Sequence, residues 1–570
     1  MITDGSPAAP AAAENPPHAG DSALADAITA EGLLRCWLRE TGGQVPETGE
    51  VEIALPAAGT ALRAAVRHRS PTGHHRFGPV RLPGGAAVNA PTVAALLAAE
   101  DAAAAGGGAP DGAIDLIARV ADSQQRTARH LSARRGSGEQ AATPFLAAEQ
   151  ALVLGHPLHP TPNSRTRWTE REAAAYSPEL RGNFALHWFA VDRSVLATDG
   201  GAEQLLAGFA PDVPEGTAAV PVHPWQAREL LADPGTRELL AAGLLTDLGA
   251  RGAHWSPTSS IRTVYHPDSP VQLKLSLGLP ITNSKRENLR KELRRGMEID
   301  RLLDAGLGAE IAAAHPTFSI VRDPAWMAVD VPGHDEGGFE VVLRANPFGQ
   351  ERVACVAGLL AERPELGGSQ LRRLVDGLAA RTGESRQQVA EQWCRRYFDH
   401  LVAPVLWLYR THGLGLEAHQ QNSLLSLDEH GWPCGGWYRD NQGYYISEQR
   451  VADLERFLPG VGSAGENRVD EAVIDERLGY YVGINNLLGL VGAFGAQGLA
   501  DERRLLAVLA ARLRSFSDLT PVAELLDAKT LRCKANLRTR LGGMDELVGP
   551  LETQSVYVDI ANPFAEGVPA

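Results

Sequence analysis

Residues 415–440 read Gly415-Leu-Glu417-Ala-His419-Gln-Gln421-Asn422-Ser-Leu-Leu-Ser-Leu-Asp428-Glu-His-Gly431-Trp-Pro-Cys-Gly-Gly-Trp-Tyr-Arg439-Asp440. Four polar groups (Glu417, His419, Gln421, Asn422) crowd into six residues and lead into the apolar run 423–427. Asp428 to Gly431 carries turn chemistry, so the stretch predicts a β-hairpin that returns to Arg439-Asp440. In extended chain, Glu417, His419 and Gln421 would share one face of a sheet. The hairpin would bring Asp440 beside Asn422. An Asn–Asp oxygen pair suits Mg²⁺, which takes few protein ligands and keeps phosphate and water. The alternative is a hydrogen-bonded cluster that closes a surface hairpin.

A chain of 570 residues is too long for one core and implies two to four domains. A hydrophobic content of 44 % and a charged content of 22 % fit an ordinary globular protein. No apolar run reaches membrane length, and the N-terminus has no basic start followed by an apolar core, so a cytoplasmic location is expected. The five cysteines are scattered, which argues against a disulfide framework or a Cys-rich zinc site. A net charge of −15 disfavours nucleic acid or an anionic membrane as partner. Of 54 cationic residues, the lysines are Lys274, Lys285, Lys291, Lys529 and Lys534 alone. Where Arg is the default cation, a retained Lys points to a compact, hydrated charge, and Lys274 and Lys534 are read as functional.

Residues 1–20 are low-complexity and read as a disordered tail. A helix is expected over 21–40, short strands near 50–56, 61–68 and 77–82, and helices over 91–104 and 112–134. The loop 155–165, dense in Pro, presents His156, His159 and Arg165. His-Pro recurs at 223, 266 and 315; five such pairs exceed the roughly one expected by chance. Strands are expected near 184–191, 254–266, 270–276, 316–322 and 339–344, with helices dominating from about 353.

Ser259 to Val264 alternates as a half-buried strand should, offering Ser260, with Lys274 reached from the next strand. A lysine between two leucines on a strand is costly unless its ammonium meets an anion. A basic helix over 287–304 would be capped by Thr282 or Asn283, and its free amides with Arg286 would form an anion site. The order strand Lys, helix, long helical region, Asn, hairpin, Asp is that of protein-kinase-like enzymes. There is, however, no Gly-x-Gly-x-x-Gly loop, no Walker lysine, and no Asp between His419 and Asn422 to act as a kinase base. Nucleotide with Mg²⁺ is expected, used for attack of a carboxylate on the α-phosphate.

Gly155-His156-Pro-x-His159-Pro, Tyr176-Ser-Pro-Glu179, Val222-His223-Pro-Trp-Gln226, Ser260-x-Arg262-Thr263, Lys274-Leu-Ser-Leu, Ile281-Thr-x-x-x-Arg286, Glu417-x-His419-x-Gln421-Asn422, Arg439-Asp440 and Lys534-Ala-x-Leu together resemble the IucA/IucC family. These are NRPS-independent siderophore synthetases of the aerobactin type. The resemblance implies an α+β cupped-hand fold, with thumb (21–175), fingers (176–345) and palm (346–570), distantly kinase-like in its nucleotide cleft. It implies activation of a citrate-like polycarboxylate as an acyl-adenylate and transfer to an amine or hydroxyl, by a homodimer using ATP and Mg²⁺. It assigns His159, Ser260, Arg262, Thr263, Lys274, Arg286 and Gln421 to ATP, and Glu417, Asn422 and Asp440 to Mg²⁺. Thr282, Asn283, Arg286, His419 and Lys534 fall to the acid substrate, and Lys274, Arg286 and His419 to catalysis. Asn163 stands where the family usually has Lys, with Arg165 nearby as a substitute cation. The wording of 155–162 and Asn562-Pro563-Phe564 resembles the branch that uses free citrate. A small-molecule kinase and an inactive nucleotide- or citrate-binding sensor are the competing readings.

Overall fold

The computed structural model describes residues 17–104, 106, 112–138, 141–281, 284–544 and 555–565. The first helix, Ala19–Thr41, stops at Gly42, whose φ of 68° reverses the chain where a side chain would be strained. It packs with strands Glu50–Leu55, Thr60–His68 and Arg76–Phe77 and helices Ala90–Ala104 and Ala113–Arg134. Leu537 and Leu541, from near the other end of the chain, are seated in this same core. The low-complexity tail lies outside the described residues up to residue 16, and helix begins at Ala19.

In the middle of the chain, eight strands pair antiparallel. Their spatial order is Leu196–Asp199, Ala325–Val329, Val341–Ala345, Val271–Leu275, Thr263–Tyr265, Leu245–Pro257, Phe184–Asp192, Thr217–Val222. Lys274 therefore sits on an interior strand, flanked on both sides. A third core unites the C-terminal helices with a four-stranded sheet ordered Phe318–Ile320, Pro433–Tyr438, Ser423–Leu427, Val353–Cys355. The expected hairpin is present, with Asp428 Oδ1 accepting the amides of His430, Gly431 and Trp432 at 2.8–2.9 Å. Among the described residues no helix is long and apolar enough to cross a membrane.

Three local expectations need correction. Glu417, His419 and Gln421 do not alternate on a strand: the strand ends at Leu416, because His419 Nδ1 accepts the amides of Gln421 (3.3 Å) and Asn422 (3.4 Å) and bends the chain. Ser259–Arg262 is likewise a turn, with Ile261 at φ 69° and Ser260 Oγ accepting Thr263 N–H at 3.1 Å; the strand starts at Thr263. The basic helix starts at Arg290, after residues 284–286 pair with Leu277–Ile281. Its leading amides are taken, Leu289 N by Glu292 Oε2 (3.0 Å) and Arg290 N by Glu336 Oε2 (2.9 Å). That N-terminus is no anion site. Thr282 and Asn283 lie outside the described residues.

Candidate active site

Lys274 and Thr263 are cross-strand partners, which turns the ammonium toward the neck of the hairpin. There Lys274 Nζ donates to Asp440 Oδ1 at 3.0 Å and to the Asn441 side-chain carbonyl. Both groups are buried. Burial pulls the Lys274 ammonium down to about 8, against the opposing charge of Asp440. Burial alone would push the Asp440 carboxyl up, yet Lys274 and Arg344 outweigh it and hold the group ionised well below the carboxylate range. Asp440 Oδ2 accepts Gly443 N at 3.1 Å and Asn422 Nδ2 at 3.3 Å. So Asn422 meets Asp440 as expected.

Arg262 donates Nη1 to the Arg286 carbonyl (2.7 Å) and to Asn288 Oδ1 (3.0 Å), while Asn288 Nδ2 donates to the carbonyls of Lys274 (2.8 Å) and Glu340 (3.0 Å). Arg286 Nη2 donates to the Ile281 carbonyl at 3.2 Å. Gln421 Nε2 reaches Ser259 Oγ at 3.3 Å, which brings Gln421 beside the Ser260 turn. Glu149 pins this junction: its carboxylate accepts Ser259 Oγ at 2.7 Å and pairs with Arg439 Nη2 at 2.8 Å. Glu417 is held by the Tyr445 hydroxyl, and burial pushes its carboxyl up.

His419 is held down to about 4 by burial and so is neutral near pH 7. With Nδ1 accepting backbone amides, its proton resides on Nε2, which makes the ring a hydrogen-bond donor. The ring lies 5.6 Å from that of Tyr481, and Lys534 Nζ stands 5.5 Å over the same ring and donates to its hydroxyl at 3.3 Å. His159 is buried in its loop, with Nδ1 accepting Thr161 N at 3.1 Å. Asn163 is buried on Thr127 and the Val153 carbonyl, and Arg165 folds onto its own loop and toward Glu179 at 3.6 Å.

The structure thus joins Arg262, Thr263, Lys274, Asn422, Asp440 and the Arg286 backbone in one network. Gln421 and Ser260 stand at its edge, and His419 with Lys534 around Tyr481. Asn288, Asn441 and Glu149 were missed. Asn441 could have been found as the neighbour of Asp440, whereas Glu149 and Asn288 carry no motif signal. For Mg²⁺, Asp440 brings carboxylate oxygens and Asn422, whose Nδ2 donates to Asp440 Oδ2, brings one amide oxygen to the same neck, with the Glu417 carboxyl near enough to feel the charge of Asp440; these hard donors fit a cation completed by phosphate and water. Among the described residues no cluster of three His, Cys, Asp or Glu could hold a metal, so a protein-only cage is not built.

The site is thus a sheet-borne lysine set against a hairpin Asn–Asp pair in an α+β fold. The chain belongs to the IucA/IucC family, whose signature spans residues 144–361, while a ferric iron reductase FhuF-like transporter signature spans 391–549. It is 39 % identical to the rhizobactin siderophore biosynthesis protein RhbC of Rhizobium meliloti, over 96 % of this chain and 98 % of the relative. It is 33 % identical to the spermidine–citrate ligase of Bacillus anthracis, over the same shares. The solved structure of ATP-bound aerobactin synthetase IucA from Klebsiella pneumoniae superposes with a TM-score of 0.83 at 29 % identity, covering 94 % of this chain and 99 % of that one.

Proposed function

We propose that this chain is an ATP-dependent siderophore synthetase that activates a carboxylate of citrate, or of a related polycarboxylate, and condenses it with an amine or hydroxyl. The reading is supported by the names of its relatives, a spermidine–citrate ligase and an N(2)-citryl-N(6)-acetyl-N(6)-hydroxylysine synthase among them. It rests above all on one observation: Lys274 from the sheet and Asp440 from the hairpin meet at 3.0 Å with Asn422 alongside.

In the first step a carboxylate oxygen attacks the α-phosphorus, the bond to pyrophosphate breaks, and pyrophosphate leaves. Lys274 and Arg262 would offset the charge that gathers on the α-phosphate, and Asp440 keeps the ammonium in place. Asp440 and Asn422 would hold Mg²⁺, which when bound would supply further charge neutralisation at the phosphates. The neutral His419 would donate Nε2–H to a substrate carboxylate, with Lys534 providing the charge and Arg286, Thr282 and Asn283 completing that end. In the second step the nucleophile attacks the acyl carbon, loses a proton, and AMP departs. His159, Ser260, Thr263 and Gln421 are proposed to line the nucleotide.

The test is product analysis with citrate and a panel of amines. AMP and pyrophosphate, formed only when citrate is present, are expected; ADP and phosphate as sole products would point to a kinase and refute the proposal.

A further inference from the structure

A cavity lies where the last turn of the first helix meets residues 156–158 and the helical stretch around 480–489. Arg39, Glu40, His74, His156, Tyr480 and Lys534 face it. Lys534 stands over both Tyr480 (5.8 Å) and Tyr481 (5.5 Å), and the latter ring abuts His419, so the cavity adjoins the proposed acid site through one shared ammonium.

Its charge is one-sided. Glu40 is the one acid among the described lining residues, and both its oxygens are occupied, accepting the amides of Leu537 and Arg538 at 2.9 Å each. Burial pushes the Glu40 carboxyl up to about 7, which dilutes its charge further. Arg39 pairs with no carboxylate among the described residues: its side chain bonds the Cys533 thiol, and its Nε, shielded from solvent, has no hydrogen bond. His74 is kept neutral by burial and by the guanidinium groups of Arg39 and Arg35. A shielded guanidinium nitrogen without an acceptor is costly, and Arg39, otherwise half-buried, shares the cavity with a second cation, Lys534. An incoming carboxylate removes that cost through a forked, charge-assisted contact, whereas a polyamine would meet like charge.

We propose that this cavity is a second anion subsite, in which Arg39 and Lys534 together hold a substrate carboxylate next to His419. The inference rests on the proposed function, because the carboxylate belongs to one of its two reactants. It is either an arm of the acid that is not being activated or the carboxylate of an amino-acid nucleophile.

Steady-state AMP formation with citrate decides, using 2,3-diaminopropanoate and, as the same diamine without its carboxylate, 1,2-diaminoethane. Arg39→Gln is expected to raise a KM at least tenfold with kcat within threefold, and Arg39→Lys to restore part of it. A rise in the citrate KM with both amines assigns the subsite to the acid; a rise confined to 2,3-diaminopropanoate assigns it to the nucleophile. Unchanged KM values in a folded Arg39→Gln overturn the proposal. Should that variant lose its cooperative melt, Arg39→Lys carries the test, a threefold rise supporting the subsite and none refuting it. A wild-type protein that forms no AMP defeats the proposed function instead, and calorimetric titration of citrate and 2,3-diaminopropanoate into wild type and Arg39→Gln then decides the subsite separately: weaker binding of either supports it, equal binding of both refutes it.

Discussion

Lys274 shows how a single residue is bound to its surroundings. Removing the ammonium also strands a buried carboxylate, and breaking one partner of such a pair costs about 3 kcal/mol or more. Lys274→Ala should therefore abolish AMP formation and lower stability by about that amount in denaturant titration. The double variant Lys274→Ala/Asp440→Asn should regain much of the stability and none of the activity. Near-wild-type turnover by Lys274→Ala would remove it from the site. The recurrent His-Pro pairs are also explained at this scale. In four of them, His156, His159, His223 and His266, Nδ1 accepts the amide two residues on, at 3.1–3.2 Å. Proline at the intervening position fixes the turn. The sequence excess was legible; its meaning is largely local capping.

At the scale of elements, what could be read depended on how local the cause was. The hairpin from Ser423 to Tyr438 was legible because alternation and the Asp428 turn lie within it. The bend at 417–422 was not, because an imidazole capturing two amides overrides the extended pattern. The true start of the basic helix was also hidden, since Glu336, far along the chain, occupies its leading amide. Asn288 is the element-scale counterpart of Lys274: one amide group sews the Lys274 and Glu340 backbones together and receives Arg262. Asn288→Ala leaves buried carbonyls and a guanidinium unsatisfied, at a cost of about 2–3 kcal/mol. It should raise the KM for ATP by tenfold or more by loosening the Lys274 strand. A variant that is destabilised yet keeps its KM for ATP would confine Asn288 to folding.

For the molecule as a whole, the decisive ties join distant stretches. Glu149 reaches Arg439 across 290 residues, and Glu502 accepts His68, Ser70 and Thr72 from the N-terminal region. Nothing local in the sequence announces such pairs; motif order along the chain indicated the family, not these contacts. Stability should carry a pH signature of the same global kind. His223 is fully buried and burial holds it at about 3, below its ordinary 6.5. The unfolded chain then binds the extra proton, and stability falls as pH drops through 6.5. By pH 5 this amounts to about 2 kcal/mol. Glu40 acts in the opposite sense, its carboxyl raised to about 7, so the total slope is a balance. The comparison of variants isolates one term: His223→Asn keeps an acceptor for Trp225 N without titrating, and should flatten the acid limb by about 2 kcal/mol between pH 7 and 5. Identical slopes in denaturant titration would refute it.

The seating of Leu537 and Leu541 among the apolar residues of the opening helices bears on biosynthesis. A ribosome releases the chain from its beginning, so the earliest nucleus stays unplugged until residues 537–541 have been made. Throughout that interval greasy surface is uncovered, and chaperone capture of nascent chains should be concentrated there.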